Sequence, residues 1–256
     1  MKYPFLLKST LILFLITSTI QAQQPAIEAH EQSDADYVIR GQEHYDAGRY
    51  KEAIAAYRMA VKLNPRAALA YNGLGAALQM FDQEAEAVEA FKRATELAPE
   101  MYQAYRNLGI AYAALGQTER AIEAYRKAIH LNPNYAPAHT SLGGLFALLG
   151  RDKEALESLR RAISLDPQQA VAFHNLGWAL TNGKRYEEAA EAFRAAIRLD
   201  SEYAEARYNL GVVEMLRGNR NAAIEQYSLL KAHDKELADK IYDMIYGSKI
   251  LNAADK

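Results

Sequence analysis

From Asp34 to about His233, apolar residues recur three and four apart, the spacing that gathers them on one face of a helix. In the stretch 102–135 the first run carries Tyr105, Leu108 and Tyr112, and Gly116 is placed to terminate it. A second run carries Ile122, Tyr125, Ala128 and Ile129. It stops at Asn132-Pro133, because proline disfavours helical geometry in the residue before it. Each helix pair occupies 34 residues, and the pattern comes round six times. Glycine returns at Gly41, Gly75, Gly109, Gly143, Gly177 and Gly211. Alanine returns at Ala53, Ala87, Ala121, Ala155, Ala189 and Ala223, and again at Ala60, Ala94, Ala128, Ala162 and Ala196. Pro65, Pro99, Pro133 and Pro167 close four of the units. Such a period predicts stacked two-helix units that bury their apolar faces only against neighbours.

The units read as 34–67, 68–101, 102–135, 136–169, 170–203 and 204–233, preceded by a polar, aperiodic linker at 23–33. Departures fall where a stack should end. Unit one has Arg40 and His44 at positions otherwise apolar; unit six has Arg207, Glu214 and, at the second alanine position, Leu230. In unit five Ser201 replaces the proline, and Asp200 with Ser201 is expected to cap the next helix. Beyond His233 the period stops. Asp234 followed by Leu237, Ile241, Met244 and Ile245 predicts one amphipathic capping helix within 234–256, with a polar outer face.

With Tyr102 counted as position 1, unit three has Tyr105 at 4, Leu108-Gly109 at 7 and 8, Tyr112 at 11, Ala121 at 20, Tyr125 at 24, Ala128 at 27 and Pro133 at 32. Unit two has Tyr71, Leu74-Gly75, Leu78, Ala87, Phe91, Ala94 and Pro99 at the same places. This pattern resembles the tetratricopeptide repeat (TPR) family over about 200 residues. The resemblance implies an all-α fold: a right-handed superhelical solenoid of six helix-turn-helix repeats plus the capping helix. Small residues at 8, 20 and 27 let helices approach, and large ones at 4, 11 and 24 fill the spaces between.

The resemblance also implies that first helices line a concave groove, with positions 2, 5, 6, 9, 12 and 13 facing it. Position 6 reads Ile39, Gly73, Asn107, Ser141, Asn175 and Asn209. Asparagines there resemble the ladder of O-linked N-acetylglucosamine transferases, whose amides hold a peptide backbone; an amide both donates and accepts, so it suits any sequence. The same side chains could instead bond neighbouring helices. Position 5 adds Asn72, Arg106, Thr140, His174 and Tyr208, and position 9 adds Trp178, a residue type common at binding hot spots. The family's clamp for a C-terminal carboxylate needs lysines at 5 and 2, and no unit has either.

Charge and composition narrow the function. The net charge is −2 and no basic run stands out, so nucleic acid is not an expected partner. The absence of cysteine removes disulfides, thiolate metal sites and cysteine lipidation. Lys2 and Lys8, the apolar run Leu11–Ile16 and Ala22 before Gln23 read as a secretory signal peptide at 1–22, with an uncleaved membrane anchor as the alternative. The apolar part is shorter than the roughly 20 residues that a spanning helix needs. No pair among His30, His44, His130, His139, His174 and His233 has the spacing of a helical zinc site. His139, at aromatic position 4, is expected to be a packed imidazole. Gly73-Leu74-Gly75 follows no strand, and the glutamates at 84, 86, 89, 187, 188 and 191 read as solvated helix faces. No catalytic residue, metal or cofactor is therefore expected. The chain reads as a non-catalytic adaptor of a bacterial cell envelope, periplasmic or secreted, holding an extended protein or peptide segment in the groove. The alternatives are a self-assembling scaffold and a membrane-anchored structural subunit; an enzyme is the remotest reading.

Overall fold

The structure, a computed structural model, describes residues 33–254, with side chains as far as Gly247. The expected signal segment and most of the linker lie outside the described residues. Among the described residues twelve helices form six pairs: α1 (Asp34–Asp46) with α2 (Tyr50–Leu63), α3 (Ala68–Gln79) with α4 (Glu84–Leu97), α5 (Tyr102–Ala114) with α6 (Thr118–Leu131), α7 (Ala136–Leu148) with α8 (Asp152–Leu165), α9 (Ala170–Asn182) with α10 (Tyr186–Leu199), and α11 (Ala204–Leu216) with α12 (Arg220–His233). A thirteenth, α13 (Lys235–Ala254), follows after one residue. At the start, the Ser33 hydroxyl accepts from the Asp36 N–H while the Asp36 carboxylate accepts from the Ser33 N–H, a reciprocal cap on α1.

Every first helix ends in the same reversal. The residue at position 15 takes a left-handed backbone, and the next N–H reaches back to the first helix, as Gln117 does to the Tyr112 carbonyl at 2.8 Å. Glycine fills that place at Gly48, Gly116, Gly150 and Gly218, while Asp82 and Lys184 take it at φ 57°. In unit five the sequence does offer a glycine, but Gly183 sits one place early at φ −75°. Lys184→Gly should therefore stabilise the protein by about 0.5–1 kcal/mol, the relief of a side chain in that region less the added unfolded-chain entropy. Denaturant titration checks this: an unchanged or lower midpoint would show that Lys184 bears no strain.

Within a pair the notch glycine receives the large residue at position 24. A methyl on Gly109 would lie 2.5 Å from Tyr125 Cε1, and one on Gly177 would lie 2.7 Å from Phe193 Cε1. Between pairs both alanine columns are fully buried, from Ala53 to Ala223 and from Ala60 to Ala196, and Leu230 takes that role in unit six. Buried clusters run the length of the stack rather than meeting at one centre. First helices lie against their counterparts in the next unit, while among the described residues no second helix brings its backbone close to the next second helix, and only long side chains such as Arg58 and Glu86 span that gap. The first-helix side is therefore the shorter, concave side.

α13 packs on α11 and α12 and buries Ala238, Ile241 and Ile245. Ile241 enters the notch at Gly211 that position 24 fills in earlier units. Met244, expected on the buried face, is exposed: burial continues from Ile241 four residues on to Ile245, turning Met244 outward. Asp200 and Ser201 do not cap α11 either. The helix begins after Tyr203 with no side-chain cap, and Asp200 Oδ1 accepts from the Glu202 N–H at 3.0 Å, making a turn instead. His139 is only half-buried, its Nε2 3.0 Å from the Pro133 carbonyl oxygen, so it is tied to the preceding loop rather than packed in the core.

Candidate functional site

The position-5 side chain of one unit meets the position-6 side chain of the next, 35 residues on. Asn107 Nδ2 donates to Asn72 Oδ1 at 3.1 Å, Arg106 Nε donates to Ser141 Oγ at 3.2 Å, and Asn209 Nδ2 lies 2.9 Å from His174 Nε2. Stacking consecutive first helices places these groups opposite one another along the concave wall. The series is interrupted at Thr140, whose hydroxyl proton goes to either the Ala136 carbonyl (3.2 Å) or Gln169 Oε1 (3.0 Å). It has no place in unit two at Gly73, where a methyl would lie 2.5 Å from Tyr57 Cε1. The expected amides thus each meet a neighbouring unit. Each carboxamide keeps further donors and acceptors beyond those bonds.

His174 is the hub of this wall. Its ring lies 5.6 Å from that of Phe193 and 4.9 Å from that of Tyr203. Burial holds its pKa below the ordinary imidazole value, against the opposing pull of the Asn175 side chain and the Glu205 carboxylate. The ring is therefore neutral at physiological pH. With the Asn209 amide nitrogen donating, Nε2 accepts and the proton resides on Nδ1.

Beside His174 the wall opens into a cavity of about 550 Å³ formed by α5, α7, α9 and α11, with Tyr125 of α6 and Leu237 of α13 also contributing. Its polar groups are those of Ser141, His174, Asn175, Tyr208 and Asn209, and Glu205 is its charged member. Trp178 stands on the rim, 40% exposed, near Leu148 at 74%. Burial pushes the Tyr125 phenol up to about 12, so it stays protonated there. Asn72 and Asn107 lie farther along the wall, and Arg106 and Thr140 line a separate recess with Asp166 and Gln169.

Six lining residues were not singled out from the sequence, Ala113, Gly144, Leu145, Ala147, Leu148 and Glu205, although Gly144, Leu148 and Glu205 stand at the groove positions 9, 13 and 2. Gly144 is the informative one. A methyl there would lie 2.8 Å from Asn175 Nδ2, so its missing side chain both seats that amide and makes room in the cavity. The signal was available, since position 9 runs Ala76, Ile110, Gly144, Trp178 and Val212, with the smallest residue directly before the largest. Such walls can take up an apolar side chain and orient the groups beside it, but they place no nucleophile against a base. Among the described residues no three His, Cys, Asp or Glu side chains come together as a metal set, and no helix is long and apolar enough to cross a membrane.

Comparison with known proteins places this geometry. No curated protein matches the chain in sequence. Among solved structures, the chain is similar to one in the Cut9–Hcn1 APC/C hetero-tetramer at a TM-score of 0.79 and 18% identity, over 91% of this chain and 45% of that one. The chain thus spans less than half the length of that relative. It is similar to PilW, a type IV pilus biogenesis factor, at 0.75 and 21%, over 82% and 98% of the two chains. It is similar to YrrB, a TPR protein with an unusual peptide-binding site, at 0.54 and 26%, over 73% and 98%. Residues 15–241 match the family of the cilia and flagella-associated protein 70 C-terminal domain. The fold is all-α, and its architecture is that of a protein-interaction scaffold. The chain belongs to that family of tetratricopeptide-repeat domains.

Proposed function

We propose that this protein is a non-catalytic adaptor of the bacterial cell envelope that holds an extended partner segment in its concave groove. The observation that carries the reading is the cavity between Gly144 and Trp178, where a large apolar side chain of the partner inserts. A hydrophobic recess with a few convergent polar groups is the ordinary form of a binding site. Serine and amide groups along the rim meet the partner's backbone, which makes the grip tolerant of sequence. The similarity to YrrB, which has a peptide-binding site, favours the same ligand class. Export rests on Lys2, Lys8, Leu11–Ile16 and Ala22, which mark a secretory signal.

Peptides selected from a random displayed library against the purified protein test the groove. Trp178→Ala should weaken the best of them by about 30-fold, the effect of losing a hot-spot aromatic. Gly144→Leu should block them by filling the cavity. Selected peptides that bind both variants as tightly as the parent would remove the groove from the function.

A further inference from the structure

The outer side of the stack carries a second, differently built recess. Where one second helix neighbours the next unit, a shallow hollow recurs. Between units one and two it is lined by Tyr71, Leu74 and Leu78, with Arg58 and Glu86 across it bonded at 2.9 Å. Between units four and five it is lined by Phe173, Leu176 and Leu180, with Arg160 and Glu188. At both of these junctions the design is an apolar floor with a basic group from one unit and an acidic group from the next, whereas between units two and three Lys92 and Arg120 hold those places.

Between units five and six three of these five places change, and all three changes face one hollow of about 360 Å³. Arg207 stands where the aromatic ring was, Glu214 where the leucine was, and Ala222 where the glutamate was. Glu214, 1% exposed, accepts from Arg194 and Arg217, and Arg217 also bonds Glu187. With alanine at 222, the acid that Arg194 bonds is the buried Glu214. Two guanidinium groups remain. Arg198 has no carboxylate partner among the described residues, and Arg207 donates only to the Ser201 carbonyl, at 2.8 Å. Glu225 faces the same hollow and bonds neither. Ile197, Leu210 and Leu229 supply apolar walls around the two cations.

We infer that this hollow is a second docking site, independent of the groove, which takes an acidic side chain of a partner segment together with its apolar neighbour. Arg194 is already paired with Glu214, so the two guanidinium groups left without a carboxylate among the described residues, Arg198 and Arg207, name the missing group. At the first junction the place opposite the arginine holds a glutamate carboxylate, and here that place is an alanine methyl. A planar guanidinium is matched to a carboxylate by two parallel N–H···O bonds, and the hollow offers two such forks with apolar surface alongside.

The test uses the full chain and a fluorescein-labelled peptide of alternating glutamate and leucine, with the lysine–leucine peptide as counterpart. The acidic peptide should bind saturably and the basic one should not. Arg198→Ala with Arg207→Ala should weaken binding at least 10-fold while leaving the melting temperature near that of the parent, since neither residue is buried. Ala222→Glu should also weaken it 10-fold, by returning the carboxylate that the other junction supplies from within. Trp178→Ala should leave it unchanged, which separates this site from the groove. Binding that survives the arginine variants, or that falls with Trp178→Ala, would overturn the proposal. Equal displacement by millimolar inorganic phosphate would instead make this a small-anion site. A parent dimer that Ala222→Glu renders monomeric would make the occupant a second copy, and the proposal would fail on that ground too.

Discussion

A chain ending at His233 should melt far below the full-length protein and aggregate. Leu230 is fully buried only because α13 covers it, and Ile241 and Ile245 are buried on the other side of the same contact. At about 2 kcal/mol for each of these side chains, the gross loss is about 6 kcal/mol before the freed helix regains its entropy. Polar ties go as well: Arg220 Nη2 donates to the Ile245 carbonyl at 3.1 Å, and its guanidinium lies 4.9 Å from the Tyr246 ring centre. The exposed face would be the end of an apolar stack with the notch at Gly211 open, a surface suited to joining another copy. Melting curves and light scattering on the truncated chain measure both effects. A truncated protein as stable and as soluble as the parent would show that α13 is an arm rather than a cap. Because Leu237 lines the groove cavity, the truncation should also weaken groove ligands, and that loss should follow the stability change.

The repeat itself was legible because backbone requirements recur with it. The notch glycine, the buried alanines and the turn at position 15 answer to local geometry that each unit must satisfy alone, so they reappear every 34 residues. What the sequence conceals is pairing between units. Asn107 bonds Asn72 and Asn209 meets His174 because two helices 35 residues apart stack side by side, and chemically unlike partners serve that contact equally well. Arg106 does it with Ser141. The residues at unit six hide a further pairing of this kind. Arg207 and Glu214 read as marks of a stack ending, yet Glu214 is as buried as the apolar residue it replaces, because Arg194 of α10 and Arg217, just past the end of α11, reach it. Met244 shows the opposite limit. A helix joined by a single residue sits in a different register from the earlier first helices, so its buried stripe could not be read from theirs.

Changing Asn107, Asn175 and Asn209 together to alanine should weaken groove ligands by about 100-fold and lower the stability of the stack only moderately. The three share one position in units three, five and six, along one wall. Two of them already bond a neighbour, at 3.1 Å to Asn72 and 2.9 Å to His174, and Asn175 packs against Gly144. Those bonds use part of each bonded amide's capacity and fix its orientation. On the proposed function, the remaining donors and acceptors meet a peptide backbone without further ordering. At about 1 kcal/mol net for each ligand bond, the loss is about 3 kcal/mol, or about 100-fold in affinity. The lost neighbour bonds cost about 2 kcal/mol in the fold, and coupling through His174 could enlarge either figure about twofold. A melting curve and a titration with a selected groove peptide, on the triple variant and on Gly109→Trp, separate the two effects. Gly109→Trp drives an indole into Tyr125 and should damage the fold first, with affinity following the folded fraction. Unchanged affinity in the triple variant, alongside a large fall in melting temperature, would return these amides to the scaffold and leave Trp178 and the cavity beside Gly144 to hold the partner alone.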